Sequence, residues 1–244
     1  MIRLDTHVHT RFSHDAAGSV RAVLAAARDA GLDGLAITDH DTVWGARRAA
    51  RLASEYGLFV IPGVEVSTAE GHLLALGVEA APVPGRPMAE TVGTVRDRGG
   101  VAVAAHPFQV SRHGASGRTI RRAAPDAVET FNAHQMTGLQ NRRARRFADR
   151  ADYPAVGGSD AHRPEMVGRA YTEVRPPGGS EATDLTAPDP PGVDAGQALA
   201  AIRAGRTTAR GRRTPATRYV GQLVHNATLR TGGGLAQVRQ LLPR

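Results

Sequence analysis

Ile2-Arg3-Leu4-Asp5-Thr6-His7-Val8-His9 opens the chain with a short strand, residues 2–5, that runs straight into a His-x-His pair. Along an extended backbone, side chains at i and i+2 point to the same side, so His7 and His9 can reach one cation together. Taken alone, the pair is a moderate signal. Its weight comes from repetition, because short apolar runs that deliver an imidazole or a carboxylate at their ends recur along the chain. Residues 34–38 read as a buried strand followed at once by Asp39-His40-Asp41, and Val64-Glu65-Val66-Ser67 carries an acid. The apolar run 101–105 leads into His106-Pro107. Residues 154–157 lead to Ser159-Asp160-Ala161-His162, where the i, i+2 spacing returns with one carboxylate and one imidazole.

Between these strands lie helices. Ser19 is placed to cap a helix that reaches Ala30 and stops at Gly31, and a second, from about Thr42 to Tyr56, stops at Gly57. Further helices are expected near 89–98, 139–150 and 194–204. Strand candidates at 58–61, 64–68 and 72–78 come in quick succession, and others fall at 127–131 and 207–209. Strands separated by helices imply a mainly parallel sheet, and 244 residues suffice for one α/β barrel. Parallel barrel strands deliver their C-terminal ends to one rim, so the imidazoles and carboxylates converge there. A single histidine in such a place is explained by solvent or by a partner in the core. The group together would crowd without cations.

Composition narrows the chemistry. Cysteine is absent, which excludes disulfides and thiolate-bound zinc and leaves imidazole and oxygen ligands for any metal. The net charge of +8 comes from arginine rather than lysine and goes with abundant Ala and Gly, the habit of a GC-rich genome; a basic surface still favours anionic substrates. Aromatic residues make up only 4%, which argues against a stacking platform for single-stranded nucleic acid. No long apolar run suggests a membrane span or a signal peptide, so a soluble cytoplasmic protein is expected. Residues 176–192, rich in Pro, Gly, Ser, Thr and Asp, read as an exposed loop. Residues 211–244, Arg-rich and weakly periodic, read as a basic C-terminal extension, helical or partly disordered, beyond a domain of residues 1–210.

The five motifs Asp5-Thr6-His7-Val8-His9, Ile37-Thr38-Asp39-His40-Asp41, Gly63-Val64-Glu65, Ala105-His106-Pro107 and Gly158-Ser159-Asp160-Ala161-His162 resemble, in order and spacing, those of the polymerase and histidinol phosphatase (PHP) family. The resemblance covers roughly the first 175 residues. It implies a distorted (β/α)7 TIM-like barrel and a cluster of two or three divalent ions, manganese, zinc or iron, that hydrolyses phosphoesters. Residue by residue, it implies His7, His9, Glu65 and Asp160 around one ion, Glu65 and His106 on a second, and His40 with His162 on a third. Glu65 would bridge. Asp15 is preferred to His14 as a further ligand on spacing, and His134 to Asn132 because imidazole suits a borderline ion better, with Asn132 the alternative.

The implied reaction is in-line attack on phosphorus by a hydroxide shared between ions, with no protein nucleophile. Glu65, Asp160 and His162 are the candidate catalytic residues, with His40 or His162 available to assist the leaving group. Arg112, His113 and Arg118 follow His106-Pro107 in a Gly-rich loop and Arg163 follows His162, so these four are candidates for binding the substrate phosphate. Arg142, Arg143, Arg145 and Arg146 read as the solvated face of a helix. A small phosphomonoester, histidinol-phosphate-like or nucleotide-like, is the leading substrate. A phosphodiesterase or exonuclease, a non-catalytic PHP module serving a partner, and a C–N amidohydrolase are the competing readings.

Overall fold

A computed structural model describes residues 1–110, 113–135, 137–175 and 194–214. In chain order the elements are β1 (Ile2–Val8), α1 (Val20–Asp29), β2 (Gly34–Ile37), α2 (Trp44–Leu52), β3 (Phe59–Thr68), β4 (Gly71–Leu76), α3 (Met88–Asp97), β5 (Val101–Ala104), α4 (Gly117–Ala123), β6 (Ala127–Asn132), α5 (Gly138–Ala151), β7 (Ala155–Gly158), β8 (Ala170–Val174), α6 (Ala195–Arg203) and β9 (Thr207–Gly211). Helix α1 shows why the sequence chooses these elements. The Ser19 hydroxyl accepts from the Ala22 amide, and Val20, Val23, Leu24 and Ala27 form one buried stripe. Gly31 then takes the left-handed φ of 69° that ends the helix. Strands β2 and β5 are buried at every position because the barrel interior lies on one side and the helices on the other.

The strand order is β7-β6-β5-β4-β3-β2-β1-β8-β9. The sheet curls until β7 returns to β1: the Asp160 amide donates to the His7 carbonyl at 2.8 Å, the His9 amide donates to the Ala161 carbonyl at 2.9 Å, and Val8 bridges Ala161. The result is a nearly closed, distorted TIM-like barrel, as the sequence implied. At its opposite end α6 is the plug. Leu199 and Ile202 pack with Ile2, Leu4, Ile61, Leu76 and Val101, which leaves the C-terminal rim of β1 as the polar end of the interior.

Several expectations need correction. Seven of the nine strands run in one direction, as expected, but the sheet is mixed: β4 runs against both β3 and β5, and β8 runs against both β1 and β9. The reason lies in a hairpin. Thr68 pairs with Gly71, and two residues leave no room for the crossover helix a parallel strand requires. The two strands expected at 58–61 and 64–68 are one strand, β3, which pairs through Pro62 with β2 and from Gly63 with β4. The helix expected to run to Tyr56 is α-helical only to Leu52 and tightens to a 3-10 turn over Ala53–Tyr56. Helix α4 and strand β8 were not anticipated. The loop at 176–192 and nearly all of the extension at 211–244 lie outside the described residues, of which Met1–Arg213 form one compact unit. No helix among the described residues is long and apolar enough to cross a membrane.

Candidate metal centre

Glu65 sits in the middle of β3 and is the hub of the rim. Its Oε2 lies 3.1 Å from both His7 Nε2 and His9 Nε2, while its Oε1 lies 2.7 Å from both His106 Nε2 and His72 Nδ1. One carboxylate thus faces two groups of imidazoles. Asp160 joins the first, with Oδ1 3.6 Å from His7 Nε2 and 3.4 Å from His9 Nε2, and the two imidazole nitrogens are themselves 3.1 Å apart. Donors at about 2.0–2.2 Å from a tetrahedral cation stand about 3.3–3.6 Å from one another. The 3.4 and 3.6 Å spacings to Asp160 match such a cage and the 3.1 Å spacings fall a little inside it, while the two at 2.7 Å are hydrogen-bond contacts that a cation would have to widen. Asp15 gathers a further group: its Oδ2 lies 2.9 Å from His162 Nε2 and 3.3 Å from His40 Nε2.

Among the described residues, four sets of side chains can therefore hold a cation: His7, His9 and Asp160; His7, Glu65 and His106; His40, Glu65 and His72; and His9, Asp15, His40 and His162. They share members, so the sets describe one continuous cluster. The ring Nδ1 atoms of His40 and His106 are buried without a hydrogen-bond partner, a cost expected where a site is completed by something other than protein.

The rings are aimed by partners behind them. His7 Nδ1 donates to Glu129 Oε1 at 3.1 Å, which fixes the tautomer and turns Nε2 toward the cluster. His162 Nδ1 donates to the Asp160 carbonyl at 3.0 Å with the same effect. His9 Nδ1 reaches Ser13 Oγ at 3.3 Å, and that hydroxyl donates to Asp15 at 2.7 Å. Asn132 Nδ2 donates to both Glu129 Oε2, at 3.0 Å, and Asp160 Oδ2, at 3.1 Å. Asp5 accepts from the Ser159 amide at 2.9 Å through one oxygen and from the Gly168 amide at 2.9 Å through the other, tying β1 to the loop that carries Asp160. His106 and Asp160 hold φ values of 23° and 52°, a region costly for side chains with a Cβ, and the surrounding bonds keep them there.

Electrostatics follow from this crowding. Burial opposes charge on Glu65, but the His7, His40 and His72 imidazoles outweigh it and hold its carboxyl well below the usual range. Asp160 and Asp15 are depressed in the same way, by His7, His9 and His162 in one case and by His162, His40 and His9 in the other. Burial would strip the proton from His9; Asp160 and Glu65 overcome it and push the ring up to about 10. His7 is likewise raised, against burial, by Glu65, Asp160 and Glu129. The cluster therefore holds protons where a cation would neutralise the carboxylates, and loading it releases them.

The structure thus brings His7, His9, Asp15, His40, Glu65, His106, Asp160 and His162 together. His14 is exposed and belongs to none of the four sets. His134 also lies outside them: the turn after β6 carries it past the rim, where its ring packs 4.9 Å from that of His162 and loss of water pushes its pKa down to about 4. Asn132, the alternative, supports Glu129 and Asp160 instead. His72, which its strand was expected to point into the barrel, stands beside Glu65 because antiparallel β4 begins at the rim where the other barrel strands end.

Of the candidates for phosphate, His113 stacks on His72 with ring centres 4.6 Å apart. Arg118 is exposed on α4, and Arg163 faces Glu165 at 3.7 Å. Arg112 lies outside the described residues. Glu129, Asp5 and Ser13 were missed as supports. An acid within the short strand-like run Ala127-Val128-Glu129-Thr130-Phe131 was the available signal, since a buried charge needs a partner.

A cluster of this kind on a barrel rim is built to hold divalent cations. The chain belongs to the PHP family: the model of the PHP domain matches residues 5–141, and that of the PHP-associated region matches residues 138–207. An uncharacterized protein of Methanocaldococcus jannaschii is 31% identical over 150 residues, 57% of this chain and 87% of that protein. A phosphoribosyl 1,2-cyclic phosphate 1,2-diphosphodiesterase of Eggerthella lenta is 38% identical over 81 residues, and a 3',5'-nucleoside bisphosphate phosphatase of Chromobacterium violaceum is 38% identical over 86 residues. Those matches cover 31% and 33% of this chain and 30% of each enzyme. Among solved structures, PsfC of Pseudomonas syringae has the same fold, with a TM-score of 0.68 at 19% identity over 94% of this chain and all of that one.

Proposed function

We propose that the protein is a phosphomonoesterase acting on a small phosphorylated molecule, nucleotide-like or histidinol-phosphate-like, with two or three manganese, zinc or iron ions. The observation that carries the reading is the division of Glu65 between two imidazole groups, its Oε2 facing His7 and His9 and its Oε1 facing His106 and His72. In it His7, His9, Glu65 and Asp160 hold one ion, Glu65 and His106 a second, and Asp15, His40 and His162 a third. Bound ions supply a water of lowered pKa and neutralise phosphoryl charge. The chain supplies everything else. Glu65, Asp160 and His162 form the catalytic centre, Glu129 and Asn132 keep their partners in place, and the α6 plug closes the far end of the barrel. Arg112, His113, Arg118 and Arg163 are assigned to the substrate phosphate, and residues 1–210 to the catalytic domain with 211–244 as a basic extension.

The bisphosphate phosphatase of C. violaceum supports the monoester reading. The cyclic phosphate diphosphodiesterase of E. lenta, matched at the same 38% identity, favours a diester as the second reading. Manganese-loaded protein assayed against an aryl phosphate, a bis-aryl phosphate diester and a labelled oligonucleotide separates them. Turnover confined to the monoester is expected. Faster turnover of the diester, or trimming of the oligonucleotide, would replace this reading with the second. Inactivity on all three despite bound metal would point to a non-catalytic module.

A further inference from the structure

Beside the cluster, and sharing none of its residues, lies a cleft of about 460 Å³ lined by Phe131, Asn141, Arg142, Arg145, Arg212 and Arg213. It joins two distant parts of the chain. Arg142 and Arg145 stand one helical turn apart on α5, and Arg212 and Arg213 follow the end of β9. Strand β9 runs antiparallel to β8, which runs antiparallel to β1, so β9 ends at the same rim as the metal ligands.

The chemistry of the cleft is one-sided. Among the described residues no acid lines it, and Arg142, Arg145 and Arg212 form no ion pair. Arg96, Arg122 and Arg210 are matched by Asp126, Glu70 and Glu173, whereas exposed arginines such as Arg48 and Arg51 stand on the surface without an ion pair among the described residues; the cleft differs in gathering four arginines around one hollow. Like charges a turn apart on a helix repel, so this arrangement costs stability unless an anion offsets it. Guanidinium groups converging from two sides match the oxygens of a phosphate, and half-buried Phe131 adds an apolar wall. The volume falls within the range of about 300–1,000 Å³ usual for small-ligand sites, which suits a nucleotide-sized molecule better than a polymer.

The cleft is also connected to the cluster. Buried Asn141 clasps the main chain of Asn132, accepting from its amide at 3.1 Å and donating to its carbonyl at 3.0 Å; the Asn132 side chain in turn holds Glu129 and Asp160. We propose that this arginine cleft is a second anion site, which takes a phosphate or diphosphate group of a nucleotide-sized molecule. The site stands independently of the catalytic reading, since none of its residues is a metal ligand.

The test is calorimetric titration of the metal-loaded full-length protein with pyrophosphate. Compared are the wild type, the Arg142→Gln/Arg145→Gln variant and an Arg48→Gln/Arg51→Gln control that removes the same charge from exposed positions on α2. Loss of two of the four cleft guanidiniums should weaken one equivalent of binding by about tenfold or more, whereas the control should change it by less than about twofold. Metal content and melting temperature, measured on each, should match the wild type and so show the cluster and fold intact. Equal losses in both variants, or no pyrophosphate bound that depends on Arg142 and Arg145, would overturn the proposal. So would a single-stranded oligonucleotide that displaces pyrophosphate with an affinity growing with its length, which would make the surface a nucleic-acid tract.

Discussion

The Glu129 carboxylate accepts from His7 Nδ1 at 3.1 Å and, through its other oxygen, from the His106 amide at 2.7 Å. One buried acid thus orients a ring from β1 and the backbone that carries a ring after β5. Replacing Glu129 with Gln should lower metal affinity by about 10–100-fold, because an amide holds the His7 tautomer less firmly. Competition with a chromophoric chelator measures this directly. Unchanged affinity would remove Glu129 from the site.

Chelator-treated protein should show a stability profile set by the cluster's protons. The His9 pKa, raised to about 10 by Asp160 and Glu65 against burial, contributes stability that is complete below about pH 6.5 and lost as pH climbs toward 10. Glu65, Asp160 and Asp15, all depressed, contribute stability that is present above the ordinary carboxylate range and lost in acid. Thermal melts should therefore peak in mildly acidic solution and decline by several degrees toward pH 10. Added manganese should stabilise more as pH rises, with protons released to the buffer. A flat profile without metal would contradict the charge assignment.

Gly158 precedes the Ser159-Asp160-Ala161-His162 motif where no side chain fits. A Cβ there would lie 2.5 Å from the His7 Cβ and 2.8 Å from Glu129 Oε1. Gly158→Ala should cost about 1–3 kcal/mol of stability by overpacking. It should also reduce bound metal, which elemental analysis of the purified variant checks.

Ile202, in the plug, gives the opposite pattern. Truncation to Ala should cost about 2–5 kcal/mol, read from denaturant unfolding, while metal per folded chain stays at the wild-type value. Loss of metal in the folded variant would mean that the two ends of the barrel are not energetically separate.

Much of this was legible in the sequence because the signals were local. Apolar runs, the Ser19 cap and the Gly31 stop set α1, β2 and β5 nearly to the residue. What escaped depended on contacts distant in sequence. Pro62-Gly63 looked like a break between strands, yet it falls where β3 passes from one neighbour to the other, a position at which a missing N–H costs little. Asp5 and Ser13 looked like companions of the motif, and only the fold shows which amides and rings they hold. Four of the five arginines of α5, Arg142, Arg143, Arg145 and Arg146, read as one solvated face. Structure divides them: Arg143 lies over the Phe108 ring at 4.5 Å, while Arg142 and Arg145 turn to the cleft.

The seam between β7 and β1 orders events in time. His7 and the Ser159 hydroxyl that donates to its carbonyl are 152 residues apart, and the neighbouring amide is that of Asp160. Synthesis delivers His7 and His9 before Asp160, with six further barrel strands made between them. The cluster is complete only when the ring is, so a chain that stops before β7 lacks both Asp160 and His162.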